Sequence, residues 1–379
     1  MKILFTVEFY EPRKGGAEEV VKQLAERLVK KGHAVTVATS VVPDRKEFII
    51  NGVFIEQFAL RGNSTYGIRG SAEEIERYRK LLCGDFDVVL NYAAQIWTTD
   101  LAFGVMDSIN AKKVFIPCGY SGLRNPAFEE YFEGLPSYLA RYDKLIYLSP
   151  HYQDKIFGDG HGFAEKGMII PNGAAEEDFL SFGDDFAKKG SMGKEAHIFI
   201  SVSNHYVAKG HAFVIEAFKK IKHKDSVLLI VGTPLVSFGI RKLYHFFFDY
   251  LSCYFSSLFD HRIRLVDGSD RQRVISVYRA AEIFLFGSRV ECAPLVMYES
   301  FASKTLFIST EVGNVGDYVG YVKIVNTSDQ MAAAADYFLD NPREEKDYTE
   351  KAFKLWEEQY TWAKIADSYE KLFNELCQR

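Results

Sequence analysis

Within its first forty residues the chain runs KILFTV, a loop closed by Gly15-Gly16, a helical stretch and then HAVTVATS. That order constrains the fold more than any other feature. A short apolar run rich in β-formers reads as a buried strand. Ala17, Val20, Val21, Leu24 and Leu28 then recur at helical spacing, and the helix ends at Lys30-Lys31-Gly32. Cations suit the negative end of a helix, and glycine suits the position just past it. The result is a β-loop-α-β unit.

The alternation continues. DVVLNY (87–92), KVFIPC (113–118), KLIYLS (144–149) and GMIIPN (167–172) read as further strands. The stretch 175–194 is acidic, contains glycine and lacks a pattern, so it is expected to be an interdomain linker. HIFISVS (197–203) restarts the series, and Lys209-Gly210 opens a helix with Phe213, Ala217 and Phe218 inward. SVLLIVG (226–232), RIRLVDG (262–268), EIFLFGS (282–288) and TLFIST (305–310) follow as strands. From about Glu344 the chain reads as helical and carries Trp356, Trp362, Ile365, Tyr369 and Leu372. Helices alternating with strands predict an α/β fold with parallel sheets. A chain of 379 residues suits two such domains. A cleft between them is the expected ligand site.

Several function classes are excluded or disfavoured. Net charge is −5, so no global basic field points to nucleic acid, and none is expected as a partner. Cys83, Cys118, Cys253, Cys292 and Cys377 form no C-x-x-C pair, which predicts a reducing compartment. The start lacks a signal-peptide pattern and reads as a strand, so Asn63 and Asn326 in glycosylation patterns carry no weight. No run of eighteen apolar residues predicts a spanning helix. The expected location is cytoplasmic or peripheral on the inner face of the membrane. There is no G-x-G-x-x-G after a strand, no Walker loop, no H-E-x-x-H and no G-x-S-x-G. The nine histidines show no ligand spacing, so no metal site is expected.

Four features carry chemistry, each with a plainer reading beside it. Gly15-Gly16 lets a backbone and a helix N-terminus approach a diphosphate, or simply makes a turn. Lys209 neutralises a leaving diphosphate, or is a solvated lysine. Glu291 and Glu299, with seven residues between them, hold sugar and ribose hydroxyls, or are a solvated acid and a helix-start charge. Pro171-Asn172-Gly173 closes the first half, or is a turn and nothing more.

Taken together, these features make the chain resemble the retaining, GT-B-fold glycosyltransferases of family 4. GGAEEVVKQLAERLVKKGHAVTVAT is similar to that family's first β-α-β unit, and ECAPLVMYESFAS to its two-glutamate signature. RYDKLIYLS, IIPNG, LLIVG, VYRAAEIFLFGS and YTWAKIADSYEKLFNEL match the family in order. The resemblance implies two Rossmann-like domains with parallel sheets facing a central cleft. They would be an acceptor-side domain at 1–185 and a donor-binding domain at 186–355. A helix at 356–379 would cross back onto the first domain. It implies sugar transfer from a nucleotide-diphosphate-sugar, UDP- or GDP-linked, to a glycan or lipid-linked acceptor in surface polysaccharide or glycolipid synthesis. It implies neither a cofactor nor a metal. Gly15 and Gly16 would face the diphosphate. Lys209 would bind it and, with Glu291, carry catalysis. Glu299 would take the ribose, main chain at Val266 the base, and backbone at Ala293 and Leu295 the sugar and phosphate.

Three departures stand out. Asn204 occupies the place of the family's phosphate-binding Arg, Pro294 removes an N–H donor, and IPCGYSG lacks the family's usual His. They keep open a second reading, a catalytically degenerate homologue serving as a binding or scaffold subunit. The segment 236–260 is unusually aromatic, with Leu243, Phe246, Phe247, Tyr250, Leu251 and Tyr254 at helical spacing after Arg241-Lys242. It is either a membrane-surface or partner-binding helix, or a helix whose apolar face packs on its own domain. The basic stretch 61–80 has the same two readings, an acceptor contact or a solvated helix.

Overall fold

The computed structural model describes residues 1–180, 196–234 and 240–378. It divides into two units, Met1–Asn172 with Trp362–Arg379, and Gly173–Thr361.

In the first unit the strands are β1 (Lys2–Thr6), β2 (Ala34–Ser40), β3 (Ile49–Ile50), β4 (Val53–Phe58), β5 (Arg61–Asn63), β6 (Gly67–Arg69), β7 (Val88–Tyr92), β8 (Lys112–Ile116), β9 (Lys144–Tyr147) and β10 (Gly167–Ile169). Eight of them form one sheet in the order β10-β9-β8-β7-β1-β2-β4-β3, parallel except for β3 on β4. The other two make a hairpin. β7 and the centre of β1 are buried on both faces, which explains their continuous apolar runs. Tyr78 meets Phe58 and Trp97 edge-on in the core, with Phe58 tilted on Trp97, at ring separations of 4.9–5.9 Å. The helix Trp362–Cys377 belongs to this unit. It buries Ile365, Tyr369, Leu372 and Phe373, one stripe at helical spacing, and its Glu370 bonds Lys31 and His33 at 2.9 and 2.8 Å.

The second unit holds β11 (His197–Val202), β12 (Ser226–Gly232), β13 (Ile263–Asp267), β14 (Ile283–Phe286), β15 (Leu306–Thr310) and β16 (Lys323–Val325). They form one parallel sheet in the order β13-β12-β11-β14-β15-β16. The strand period of two sorts its residues. Ile198 and Ile200 join a core with Tyr278 and Trp356, while Phe199 faces the opposite core with Phe218 and Met331. This unit runs to Thr361, because Trp356 is fully buried in its core and donates to Ala174 O at 3.3 Å.

Every strand named from the sequence is present. The short edge strands β3, β5, β6 and β16, and β4, were not anticipated. VFIEQF in β4 is exposed at alternate positions, so it lacks the long apolar run that marked the central strands. Of the expected linker, 181–194 lies outside the described residues. Its start is the short helix Glu176–Phe179, whose Asp178 takes Arg271 at 2.7 Å.

Both sheets reverse their strand order beside their first strand. β1 lies between β2 and β7, and β11 lies between β12 and β14. In such sheets the loops leaving the carboxyl ends at that point border a crevice. After β11 that loop carries Lys209, and after β14 it carries Glu291.

Candidate functional site

The two loops of the second unit meet backbone to backbone. A short helical turn, Val207–Lys209, ends at Gly210 with φ +71°. A Cβ on Gly210 would lie 1.9 Å from Gly287 O, so only glycine fits there. Arg289 N donates to Ala208 O at 2.8 Å, which locks the loops in register. The lock brings Lys209 Nζ to 2.6 Å from Glu291 Oε1, and Ser288 Oγ donates to the same oxygen at 2.7 Å. Both side chains are partly buried, where a charge-assisted bond is stronger than in open water. The Glu291 loop is also tied from behind. Asn314 N donates to Cys292 O at 2.8 Å, and Gly313, at φ +57°, leaves no room for a Cβ beside Cys292 O.

Glu299 lies in the helix Leu295–Ala302 and is buried. Tyr278 OH donates to its Oε2 at 2.8 Å, and Arg271 NH1 lies 2.6 Å from its Oε1. Arg271 also reaches Asp178. Burial opposes the guanidinium charge, but the two carboxylates more than reverse that and raise its pKa. The expected ribose acid is thus a member of an internal charge network. Leu295 is the first residue of the same helix, where amides lack intrahelical acceptors. Pro294 precedes it, so the missing N–H costs the helix nothing. Ala293 and Leu295 are half-buried, Val266 is half-buried on the outermost strand β13, and Asn204 is exposed.

In the first unit, Gly15 precedes the helix Gly16–Lys30 with φ −172°, extended backbone open to any residue. A Cβ on Gly16 would meet nothing within 4 Å, while one on Gly15 would meet the Glu18 carboxylate. The glycines therefore leave space and do not serve a special backbone angle. Burial raises the Glu18 pKa, against the pull of its own N–H and of Arg13. The loops after β7 and β8 hold four non-glycine residues in left-handed backbone: Ala93, Gln95, Cys118 and Tyr120. Asp154 accepts from Gly119 N at 2.9 Å, and Gln153 Nε2 donates to Gly119 O and Tyr120 O at 2.6 and 3.0 Å. Such strain persists only where neighbours over-determine it, and it clusters at functional sites.

The glycosyl transferases group 1 family matches residues 184–355, the span that contains Lys209, Glu291 and Glu299. That span, a little under half of the chain, is similar to a group 1 glycosyltransferase domain. A curated relative, the phosphatidylinositol N-acetylglucosaminyltransferase GPI3 subunit of Saccharomyces cerevisiae, is 20% identical over 322 residues, 83% of this chain and 68% of its own. Among solved structures, sucrose-phosphate synthase of Thermosynechococcus elongatus superposes with a TM-score of 0.78 at 17% identity, covering 99% of this chain and 98% of that one. HepE of Anabaena, solved in complex with UDP and glucose, superposes with a TM-score of 0.79 at 13% identity, covering 99% and 100%. The fold is GT-B.

Sequence reasoning named Lys209 and Glu291 separately, and the second unit brings them into one ion pair. It missed Ser288, Gly287 and Gly313, which position that pair, and Arg271, which occupies Glu299. Gly287 directly after β14 and Gly313 shortly after β15 are the signal that could have found the first group. The basic stretch 61–80 forms the β5–β6 hairpin and the helix Ala72–Leu82. There Arg77 stacks 3.9 Å over Phe58 and bonds Glu74 at 2.9 Å. The side chains of Arg241 and Lys242 lie outside the described residues.

Proposed function

We propose that this chain transfers a sugar from a nucleoside diphosphate sugar, UDP- or GDP-linked, to a glycan or lipid-linked acceptor. The observation that carries the reading is the Lys209–Glu291 pair at the strand-order reversal of the matched domain. A partly buried ammonium there stabilises charge that develops on a departing diphosphate. The carboxylate fixes the ammonium and offers directional acceptors to sugar hydroxyls. Glu299 takes the ribose, exchanging part of its Arg271 contact for hydroxyls. In the first unit, Gly15-Gly16 offers open helix-start amides to anionic groups.

The acceptor side of the proposal rests on the aromatic segment and on the lipid acceptor in the curated relatives' name. No helix among the described residues is long and apolar enough to cross a membrane. The helical run Ile240–His245, Phe246–Tyr250 and Leu251–Phe259 nonetheless exposes Leu243, Tyr244, Phe247, Phe248, Tyr254, Phe255, Leu258 and Phe259. An apolar stripe of this kind marks an interaction surface, and its Phe and Tyr side chains suit the headgroup boundary of a bilayer. Co-sedimentation with anionic vesicles is expected, with loss of binding in Phe247→Ser/Phe255→Ser. Equal sedimentation of both proteins excludes this contact.

The donor reading is tested by thermal unfolding with UDP, GDP, ADP, TDP and CMP, using wild type and Glu299→Gln. A ligand at 100 times its Kd stabilises the native state by about 2.7 kcal/mol. One diphosphate raises Tm in wild type, and less in the variant. If none does, the internal Arg271–Glu299 pairing stands in for a lost ligand, and the scaffold-subunit reading replaces this one.

A further inference from the structure

Four side chains that sugar transfer does not use converge behind the Lys209 loop. His205 and His211 flank Lys209 in sequence, and Asp249 and Cys253 come from the inserted aromatic helix. All four are at most 3% exposed. His205 Nδ1 and His211 Nδ1 lie 2.9 and 2.8 Å from the same Asp249 Oδ2. One ligand atom from each of the four falls within 4.8 Å of the others.

We propose that His205, His211, Asp249 and Cys253 bind a divalent transition metal of the zinc class, which pins the inserted helix to the loop that carries Lys209. The donor set is two imidazole nitrogens, one carboxylate oxygen and one sulfur, all of them zinc ligands. A tetrahedral zinc ion, with bonds of about 2.0–2.3 Å, holds such atoms roughly 3–4 Å apart. The two His–Asp distances must lengthen slightly, and those nearer 4.8 Å contract, for the four atoms to close around the ion. Four protein ligands and no solvent access make the site a closed, structural one.

The surroundings are built for this. Asp249 lies in a wide helical turn, Phe246–Tyr250, of a kind frequent at functional sites. Cys253 follows it by four residues, on the same helix face. His211 turns its other ring nitrogen to Ser203 Oγ at 2.9 Å, the outer partner that a metal-bound imidazole takes. The same helix touches the loop twice more, through His245 Nδ1 at 3.4 Å from Val207 N and through the Tyr250 ring 5.1 Å from that of His205. Two histidines donating to one aspartate would account for three of the four groups, but would leave the Cys253 thiol with packing alone. On binding, Cys253 loses its S–H proton to solvent, and each imidazole gives up its Nδ1 proton and keeps one on Nε2, so that both bind as neutral rings through Nδ1. Nε2–H of His211 then donates to Ser203. No electrons move.

The test uses the full chain, purified without a histidine tag, and needs no activity assay, so it can fail while the glycosyltransferase reading stands, and the reverse. Metal analysis after dialysis is expected to give about one zinc per chain. Chelation is expected to lower Tm and added Zn²⁺ to restore it. Co²⁺ added to the chelated protein is expected to give tetrahedral visible bands and a thiolate charge-transfer band. Cys253→Ser should abolish the charge-transfer band, and Ser203→Ala should weaken zinc binding by ~10–100-fold. His223→Gln alters the exposed His197, His223 and Asp225 group and should change nothing. The proposal is overturned if Zn²⁺ and Co²⁺ produce neither a Tm shift nor bands, or if the bands survive Cys253→Ser or vanish in His223→Gln.

Discussion

The rims of the two sheets, each beside the strand where the order reverses, are built from different materials. In the second unit the rim after β11 and β14 presents charged side chains, Lys209 and Glu291, on backbone that glycines press together. In the first unit the rim after β7 and β8 presents strained backbone, with Gln95, Cys118 and Tyr120 left-handed and buried groups holding them so. A fixed ion pair suits a substrate of constant charge, such as a diphosphate. A shaped, largely uncharged rim suits discrimination by fit. On the proposed function, the difference would divide chemistry and selectivity between the two units of one chain.

The largest expected effect lies in the charged rim. Lys209→Ala and Glu291→Ala should each lower release of nucleoside diphosphate from the donor by ~100–1000-fold, the scale of losing one preorganised group at a developing charge. Circular dichroism should remain native, because both groups are partly exposed and neither fills a core. The double variant should be little worse than either single one, since the two act as a unit. Multiplicative losses would mean that Lys209 and Glu291 work independently and that their 2.6 Å contact is incidental.

The strained rim predicts an effect on stability against pH. Burial raises the Asp154 carboxyl from 3.8 to about 6, against the pull of the Gly119 and Lys155 amides. The native chain therefore holds this proton more tightly than the unfolded chain. Its contribution is complete below pH ~3.8, where both states are protonated, and is lost as pH rises through about 6. The amount is about 3 kcal/mol. Asp154→Asn removes the titration while keeping an acceptor for Gly119 N. Between pH 4 and 7, urea unfolding should show wild type losing about 2.4 kcal/mol more than the variant. Parallel curves would mean that Asp154 is solvated and does not hold the left-handed loop.

The sequence shows one of these rims far better than the other, for a physical reason. Central strands such as SVLLIVG are buried on both faces and announce themselves as apolar runs, while β4 alternates and β16 is too short to do so. Lys209 and Glu291 are visible because ionisable residues after strands stand out by type. The left-handed conformations of Cys118 and Tyr120 leave no trace, since neither residue prefers that region. Glu299 is visible, but its capture by Arg271 is not, because the pairing spans two helices with no fixed spacing. The His205, His211, Asp249 and Cys253 group is hidden for the same reason. Its halves lie 38–48 residues apart, and a helix turn aligns them.

The smallest expected effect separates space from strain. Gly16 begins a helix, has no left-handed angle and faces open room, so Gly16→Ala should fold without cost. Alanine is the better helix former by ~1 kcal/mol at interior positions, and the gain at a first position is a fraction of that. Unfolding should therefore show a gain of about 0.5 kcal/mol or less. On the proposed function, the added methyl would fill the room that the helix-start amides offer to a diphosphate. Diphosphate-dependent Tm shifts should shrink while the ligand-free Tm rises slightly. Opposite signs from one methyl group would assign that space to the ligand. If the variant binds the diphosphate as wild type does, Gly16 makes a turn only, and the anion is held wholly by the rim of the second unit.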